Sequence, residues 1–202
     1  MAAVAGAVSQ PQMIRRLLEG IIAHDRSAGR HHLAVRSLAV SLAEYGDVST
    51  LTRHRVERTA LLHDVGKLSV PDRILDKPSD LTDDEYAFVQ QHCLIGERLL
   101  SKLGGFEAEA RLVRSHHERW DGDGYPDGLA GTDIPLPSRI VHIADAIDVM
   151  LQPHRYKDDC RVEDVPLELS HCAASQFDPD WSRRAVRWIA ADGLDALGDL
   201  AA

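Results

Sequence analysis

Residues 116–126 read His-His-Glu-Arg-Trp-Asp-Gly-Asp-Gly-Tyr-Pro. Gly122, Gly124 and Pro126 stand too close together for a helix to run through them easily, because glycine loses backbone entropy in a helix and proline has no amide hydrogen. The two histidines therefore sit at or just past a helix end. Neighbouring side chains on a regular helix point about 100° apart. Where the helix unwinds, both imidazoles can turn to one point, and such a pair suggests two ligands for one metal. Alone, the pair would read as well as two surface histidines. It is not alone: His63-Asp64 lies upstream, His92 between and Asp145 downstream.

The 202 residues fit one domain, or one with a short extension. A hydrophobic content of 44% can build an ordinary core. The net charge of −9 argues against a basic face for DNA, RNA or an anionic membrane, and an anionic substrate would need local positive charge. No apolar run approaches membrane-spanning length, and the first twelve residues lack the basic flank of a signal peptide. Cys93, Cys160 and Cys172 form neither a CxxC nor a disulfide framework. A reducing cytoplasm is the natural setting.

Outward from the signature, helical spacing recurs and no strand alternation is convincing. Residues 1–10 read as a disordered N-terminus, 11–190 as the domain and 191–202 as a loose tail. Ile14, Leu17, Leu18, Ile21 and Ile22 mark a first helix, and Val35, Leu38, Ala39 and Leu42 a second, with His31 on the same stripe. A third runs through Val56, Ala60, Leu61 and Leu62 into His63-Asp64, and Pro71 stops its continuation. Thr82 to Glu85 form a capping box opening a helix with Phe88, His92, Ile95 and Leu99 on one face. After Pro135 and Pro137 an apolar helix over 138–151 carries Asp145 in its middle and Asp148 one turn on. A carboxylate among so many apolar residues needs a cation or a strong donor. Trp181 to Ile189 read as a last helix.

The candidates collected this way are His31, His63, Asp64, His92, His116, His117 and Asp145. Imidazoles and carboxylates without thiolates suit iron, manganese, nickel or zinc rather than a cysteine–zinc site. Seven ligands are too many for one four-coordinate ion and about right for two sharing a carboxylate. Ions so paired, roughly 3.5–4 Å apart, activate a bridging water for phosphodiester hydrolysis.

At this point the sequence resembles the HD-GYP family of phosphodiesterases, within the HD superfamily. His63-Asp64-Val65-Gly66-Lys67 matches its HDxGK element, and residues 116–126 match HHExxDGxGYP at every fixed position. Arg139-Ile140 and Ala144-Asp145 match the block that supplies the last ligand. The resemblance covers His31 to Pro179, most of the chain. It implies an all-α helical bundle around a dinuclear or trinuclear metal centre, with cyclic di-GMP cleaved to pGpG and on to GMP. It implies metal ligation by His31, His63, Asp64, His92, His116, His117 and Asp145, with Asp64 bridging and Lys67 near the scissile phosphate. Arg139, Gly122, Gly124 and Tyr125 are the expected substrate contacts. The expected cofactors are two divalent ions, iron or manganese first, nickel or zinc as alternatives. Diguanylate cyclase domains are the implied partner of the Gly-Tyr-Pro loop.

Two departures qualify the resemblance. Ser27 stands where members with three metals carry a Glu, which favours two ions. His154-Arg155-Tyr156 replaces the common Arg-Pro-Tyr, and Asp148-Val149-Met150 replaces Asp-Ala-Leu. Two rival readings are a weakly active sensor or interaction module and a hydrolase of another cyclic dinucleotide.

Overall fold

The computed structural model describes residues 9–24, 28–152 and 161–193. Among these, regular structure is helical, and the one β-type contact is an isolated bridge between Ala173 and Phe177. The fold is the all-α bundle that the resemblance implies. Ser27 and residues 154–156 lie outside the described residues, as do residues 1–8 and the tail from 194.

Helices α1 (Gln10–His24) and α2 (Ala28–Tyr45) precede α3 (Thr50–Leu62), which Ser49 caps by accepting the Thr52 amide at 3.2 Å. Helix α1 thus begins inside the stretch expected to be disordered. Past α3 the chain tightens into a 3₁₀ turn over Val65–Ser69, where the Lys67 amide donates to the Asp64 carbonyl at 2.8 Å. Helix α4 (Asp72–Leu75) follows. Thr82 and Glu85 close the expected capping box on α5 (Asp83–Gln90).

The helix expected to run from Thr82 past Leu99 is in fact two. It breaks at Gln91, whose amide donates to the Phe88 carbonyl three residues back at 3.1 Å, and α6 restarts at His92 and runs to Leu103. The break releases Phe88 from the core stripe, leaving it 42% exposed, and gives His92 the first position of a helix. Helix α7 (Glu107–Arg114) leads to the signature loop, and α8 (Leu136–Leu151) follows it. Helix α9 (Val165–His171) was not foreseen; its two buried residues, Val165 and Leu169, are too few to show a period. Helix α10 (Pro179–Trp188) is capped by Asp178, which accepts the Asp180 and Trp181 amides.

Two apolar clusters hold these helices. One joins α2, α3 and α8 to α9 and α10 through Val35, Leu42, Val56, Ile143, Ile147 and Trp181. The other joins α1, α6 and α7 to the end of α3 through Ile21, Leu62, Leu100, Phe106 and Val113. Helix α3 contributes Val56 and Ala60 to the first and Leu62 to the second. His63 and Asp64 therefore emerge where the two clusters meet.

Candidate metal centre

Five elements deliver the seven candidates, and the structure brings all of them together. Asp64, His92, His116 and His117 form one set whose potential ligand atoms lie within 4.8 Å of one another; His31, His63 and Asp145 form a second. The doublet at 116–117 lies just past the end of α7, where the two ring centroids approach to 4.1 Å.

Asp64 joins the sets. Its Oδ1 is 3.4 Å from His92 Nε2, while its Oδ2 is 3.4 Å from His63 Nε2 and 3.8 Å from His31 Nε2. Oδ1 is buried and has no hydrogen-bond partner. An orphaned buried carboxylate oxygen is costly unless a cation meets it.

The imidazoles make the same point. His63, His92 and His116 each direct Nδ1 at the carbonyl three residues earlier, those of Ala60, Val89 and Val113, at 2.8, 2.7 and 2.6 Å. A carbonyl only accepts, so each Nδ1 carries the hydrogen and each neutral ring presents a lone pair at Nε2. Yet Nε2 of His92 faces Nε2 of His116 at 3.3 Å, and Nε2 of His31 faces Nε2 of His63 at 3.2 Å. Lone pairs aimed at one another repel; a cation between them turns the same geometry into ligation. The donor set fits divalent metal ions, and the carbonyls are the outer partners that fix ligand tautomers.

Electrostatics follow burial. Desolvation, then the neighbouring imidazoles, holds His116 and His117 well below the ordinary histidine range, and burial lowers His92. Burial also opposes a charge on His63, but the Asp64 and Asp145 carboxylates outweigh it and raise its pKa. Burial opposes ionisation of Asp64 too; the Lys67 ammonium, His63 and His92 together outweigh it and keep the carboxyl well below its usual range. Lys67 Nζ is 2.7 Å from Asp64 Oδ2.

Lys67 lines a cavity of about 290 Å3 together with Asp64, His31, Asp145 and His117. Gly66 explains how the turn reaches it: a Cβ there would stand 2.0 Å from the His92 carbonyl oxygen. Only glycine lets the ligand turn lie on α6 beside His92.

The signature loop is pinned by Glu118, whose buried carboxylate accepts the Asp127 and Leu129 amides at 2.7 and 3.0 Å. Gly122 has a φ of +89°, as a turn glycine should. Gly124 does not; a Cβ there would meet the Arg119 amide nitrogen at 2.3 Å. Its requirement is close packing on the backbone beside His116-His117. Tyr125 lays its ring on His117, centroids 4.9 Å apart. Arg139 lines neither cavity bordering the cluster. Its guanidinium meets Asp178 at 2.5 Å and lies over Trp120, tying α8 to the start of α10. This position sets it apart from the cavities that the ligands line.

Three residues had no assigned role in the sequence reading. Asp148 accepts the His31 Nδ1 hydrogen at 2.6 Å and so orients that ring; its place one turn after Asp145 was the available signal. His142 donates to the Glu118 carbonyl at 3.0 Å. His32 is 1% exposed, lines the Lys67 cavity, and has no partner at either nitrogen. Burial and the neighbouring His63 lower its pKa to about 3. The doublet His31-His32 repeats the pattern of His116-His117; His32 packs on His63 with ring centroids 4.9 Å apart, yet only His31 joins a ligand set.

An all-α bundle with a histidine–aspartate cluster at the seam of its two apolar clusters defines an HD-superfamily fold. The chain belongs to the HD domain family, which it matches over residues 11–181, and its signature is of the HD-GYP type. A cyclic di-GMP phosphodiesterase of Thermotoga maritima is 36% identical over 158 residues, 77% of this chain and 43% of that protein. A 3′3′-cGAMP-specific phosphodiesterase of Vibrio cholerae is 34% identical over 170 residues, 83% of this chain and 33% of its own. The chain thus spans less than half the length of these relatives. Among solved structures, a cyclic GMP-AMP-specific phosphodiesterase of V. cholerae superposes with a TM-score of 0.70 at 20% identity, over 93% of this chain and 52% of that one.

Proposed function

We propose that the chain is a metal-dependent phosphodiesterase that hydrolyses cyclic di-GMP to pGpG and onward to GMP. The observation that carries this reading is Asp64, whose two carboxylate oxygens face two separate histidine sets. That arrangement suits two ions sharing one carboxylate, iron or manganese first. Two such ions would supply Lewis acidity and an activated water.

The chain's own residues do the rest. His31, His63 and Asp145 hold the side of the centre that opens on the cavity, with His31 oriented by Asp148. Lys67 places a fixed cation at the mouth of the same cavity. There it offsets the chain's negative charge locally and stabilises charge that grows on the phosphoryl oxygens. An inactive sensor would have no need of this set. Contact with diguanylate cyclase domains rests on the resemblance, and Tyr125 is turned inward onto His117.

A second reading keeps the centre and changes the substrate to 3′3′-cGAMP. The relatives named for that dinucleotide favour it. Among the described residues no helix is long and apolar enough to cross a membrane, and we place the chain in the cytoplasm, where a dinucleotide messenger would meet it. The test is turnover of cyclic di-GMP, 3′3′-cGAMP and cyclic di-AMP by anaerobically purified protein loaded with ferrous iron or manganese. Appearance of pGpG is the expected result; no hydrolysis of any of the three by metal-loaded protein would overturn the assignment.

A further inference from the structure

A second cavity, of about 340 Å3, borders the centre. It shares His117, Asp145 and Val149 with the cavity that holds Lys67, so the two open on the same ligands. Their linings differ in kind. The first holds charge: Lys67, Asp64 and His31. The second is walled by Ala146, Met150 and Phe177, and Val149 stands 44% exposed between the two. Its volume lies within the roughly 300–1,000 Å3 of small-molecule sites, which pair apolar walls with a few placed polar groups.

Those polar groups are acceptors. His142 donates from Nδ1 to the Glu118 carbonyl, so its Nε2 must accept. The Gln176 amide nitrogen lies 3.3 Å from that Nε2 and donates to it. This fixes the amide and leaves its oxygen as the acceptor on offer. Glu168 adds a carboxylate, one oxygen of which receives the Cys172 thiol at 3.4 Å. A cyclic dinucleotide likewise has two kinds of surface, a charged phosphodiester ring and flat bases with polar edges. Guanine presents two adjacent donors, N1–H and the N2 amino group. Adenine presents an unprotonated N1 at the same place.

Resting on the reading of the chain as a cyclic dinucleotide hydrolase, we propose that this second cavity holds a guanine base of the substrate. Glu168 reads the base's donor edge and Gln176 assists. The phosphodiester then lies at Lys67, and the nucleoside crosses Val149 to seat its base between Met150 and Phe177. A flat base held between apolar side chains and read at its pairing edge is a general mode of base recognition. An adenine in the same seat sets a lone pair against a carboxylate, which costs more than a missing contact.

The test compares the parent with Glu168→Gln, an exposed position whose change leaves the core untouched. The kcat/KM values of the parent for cyclic di-GMP and 3′3′-cGAMP, each with a guanine to offer, should exceed that for cyclic di-AMP by about tenfold or more, one charge-assisted hydrogen bond's worth. Glu168→Gln should narrow the gap to about threefold or less, through KM rather than kcat. A preference that survives the substitution intact would overturn the proposal. Calorimetry of GMP and AMP with manganese-loaded protein reads the seat without turnover. GMP should bind the parent about tenfold more tightly than AMP, and Glu168→Gln should lose that margin. Equal binding of the two nucleotides by the parent would also overturn it. If no dinucleotide is hydrolysed, the assignment of activity fails while this binding comparison still decides the base seat.

Discussion

The two sides of the centre share Asp64 and differ in what surrounds them. On one side Asp64, His92 and His116 are buried, the last two anchored to carbonyls of their own chain segments, and of this set His117 reaches both cavities. On the other, the side chains of His31 and Asp145 keep 14% exposure and face the cavity that Lys67 lines. The outer partner of His31 is a carboxylate, Asp148, while His63 keeps a backbone anchor at the Ala60 carbonyl. Closed sites hold a metal, and open ones leave a position for water or substrate. In the proposed centre the more closed side would keep its ion and fix the shared carboxylate, and the open side would serve the chemistry.

The largest expected effect comes from removing what the sides share. Asp64→Ala takes a carboxylate from both and removes the one that Lys67 Nζ meets at 2.7 Å. Turnover should fall on the order of 10³-fold or more, since charge stabilisation at both ions is lost together. Elemental analysis should find less than one ion per chain, and metal should no longer raise the melting temperature. Asp64→Ala protein that keeps two ions and hydrolyses cyclic di-GMP would show that the sides are not joined there.

Lys67→Ala addresses the open side alone. Loss of one fixed cation from the cavity should lower kcat on the order of 10²-fold. Metal content should hold, because an ammonium is no ligand. Arginine should rescue only in part, its planar fork being a poor copy of a compact charge. Unchanged kcat would make Lys67 a partner of Asp64 and nothing more.

How much of this was legible beforehand differs between the sides as well. His63-Asp64 and His116-His117 announced themselves, because a polar doublet directly after an apolar helical face is visible in one dimension. Their convergence was legible only through the resemblance. The break at Gln91 was not legible, since nothing in the sequence about it forbids helix; it comes from the tertiary setting of His92. Nor was the need for Gly66, whose missing side chain matters only because α6 passes within contact. The contact of Arg139 was hidden for the opposite reason: its partner Asp178 lies 39 residues away, and no local pattern points to it. The guanine seat depends on the fixed amide of Gln176, which is set by a tautomer and so by the fold.

Asp148→Asn tests whether the open side is held from outside. Asparagine can still accept from His31 Nδ1, but without charge. Outer-partner changes cost roughly 10–100-fold in metal affinity or activity, and the retained neutral hydrogen bond places this one near tenfold. The loss should fall on one of the two ions, read by titrating metal into the stripped protein, with the tighter site unchanged. Equal weakening of both sites would mean that Asp148 supports the bundle and not the open side.

The smallest effect separates the sides by pH in the metal-free protein. An unfolded histidine titrates near 6.5. Burial holds His92, His116 and His117 below that value, and likewise His32 and His142. Below about pH 6.5 the unfolded chain binds protons that these five rings refuse, so folding stability falls as the pH falls. His63 acts in the other sense. Its pKa is raised by Asp64 and Asp145, so its contribution is complete below 6.5 and is lost as the pH rises through its folded value. Five rings outweigh one, at roughly 1 kcal/mol per ring per pH unit once the unfolded ring is charged. The urea midpoint of metal-free protein should therefore drop between pH 7.5 and pH 5.5. His63→Gln should steepen the drop, because it removes the one opposing group. A midpoint that holds or rises on acidification would mean that the stripped centre has opened to water, and that the buried side keeps its shape only with metal in place.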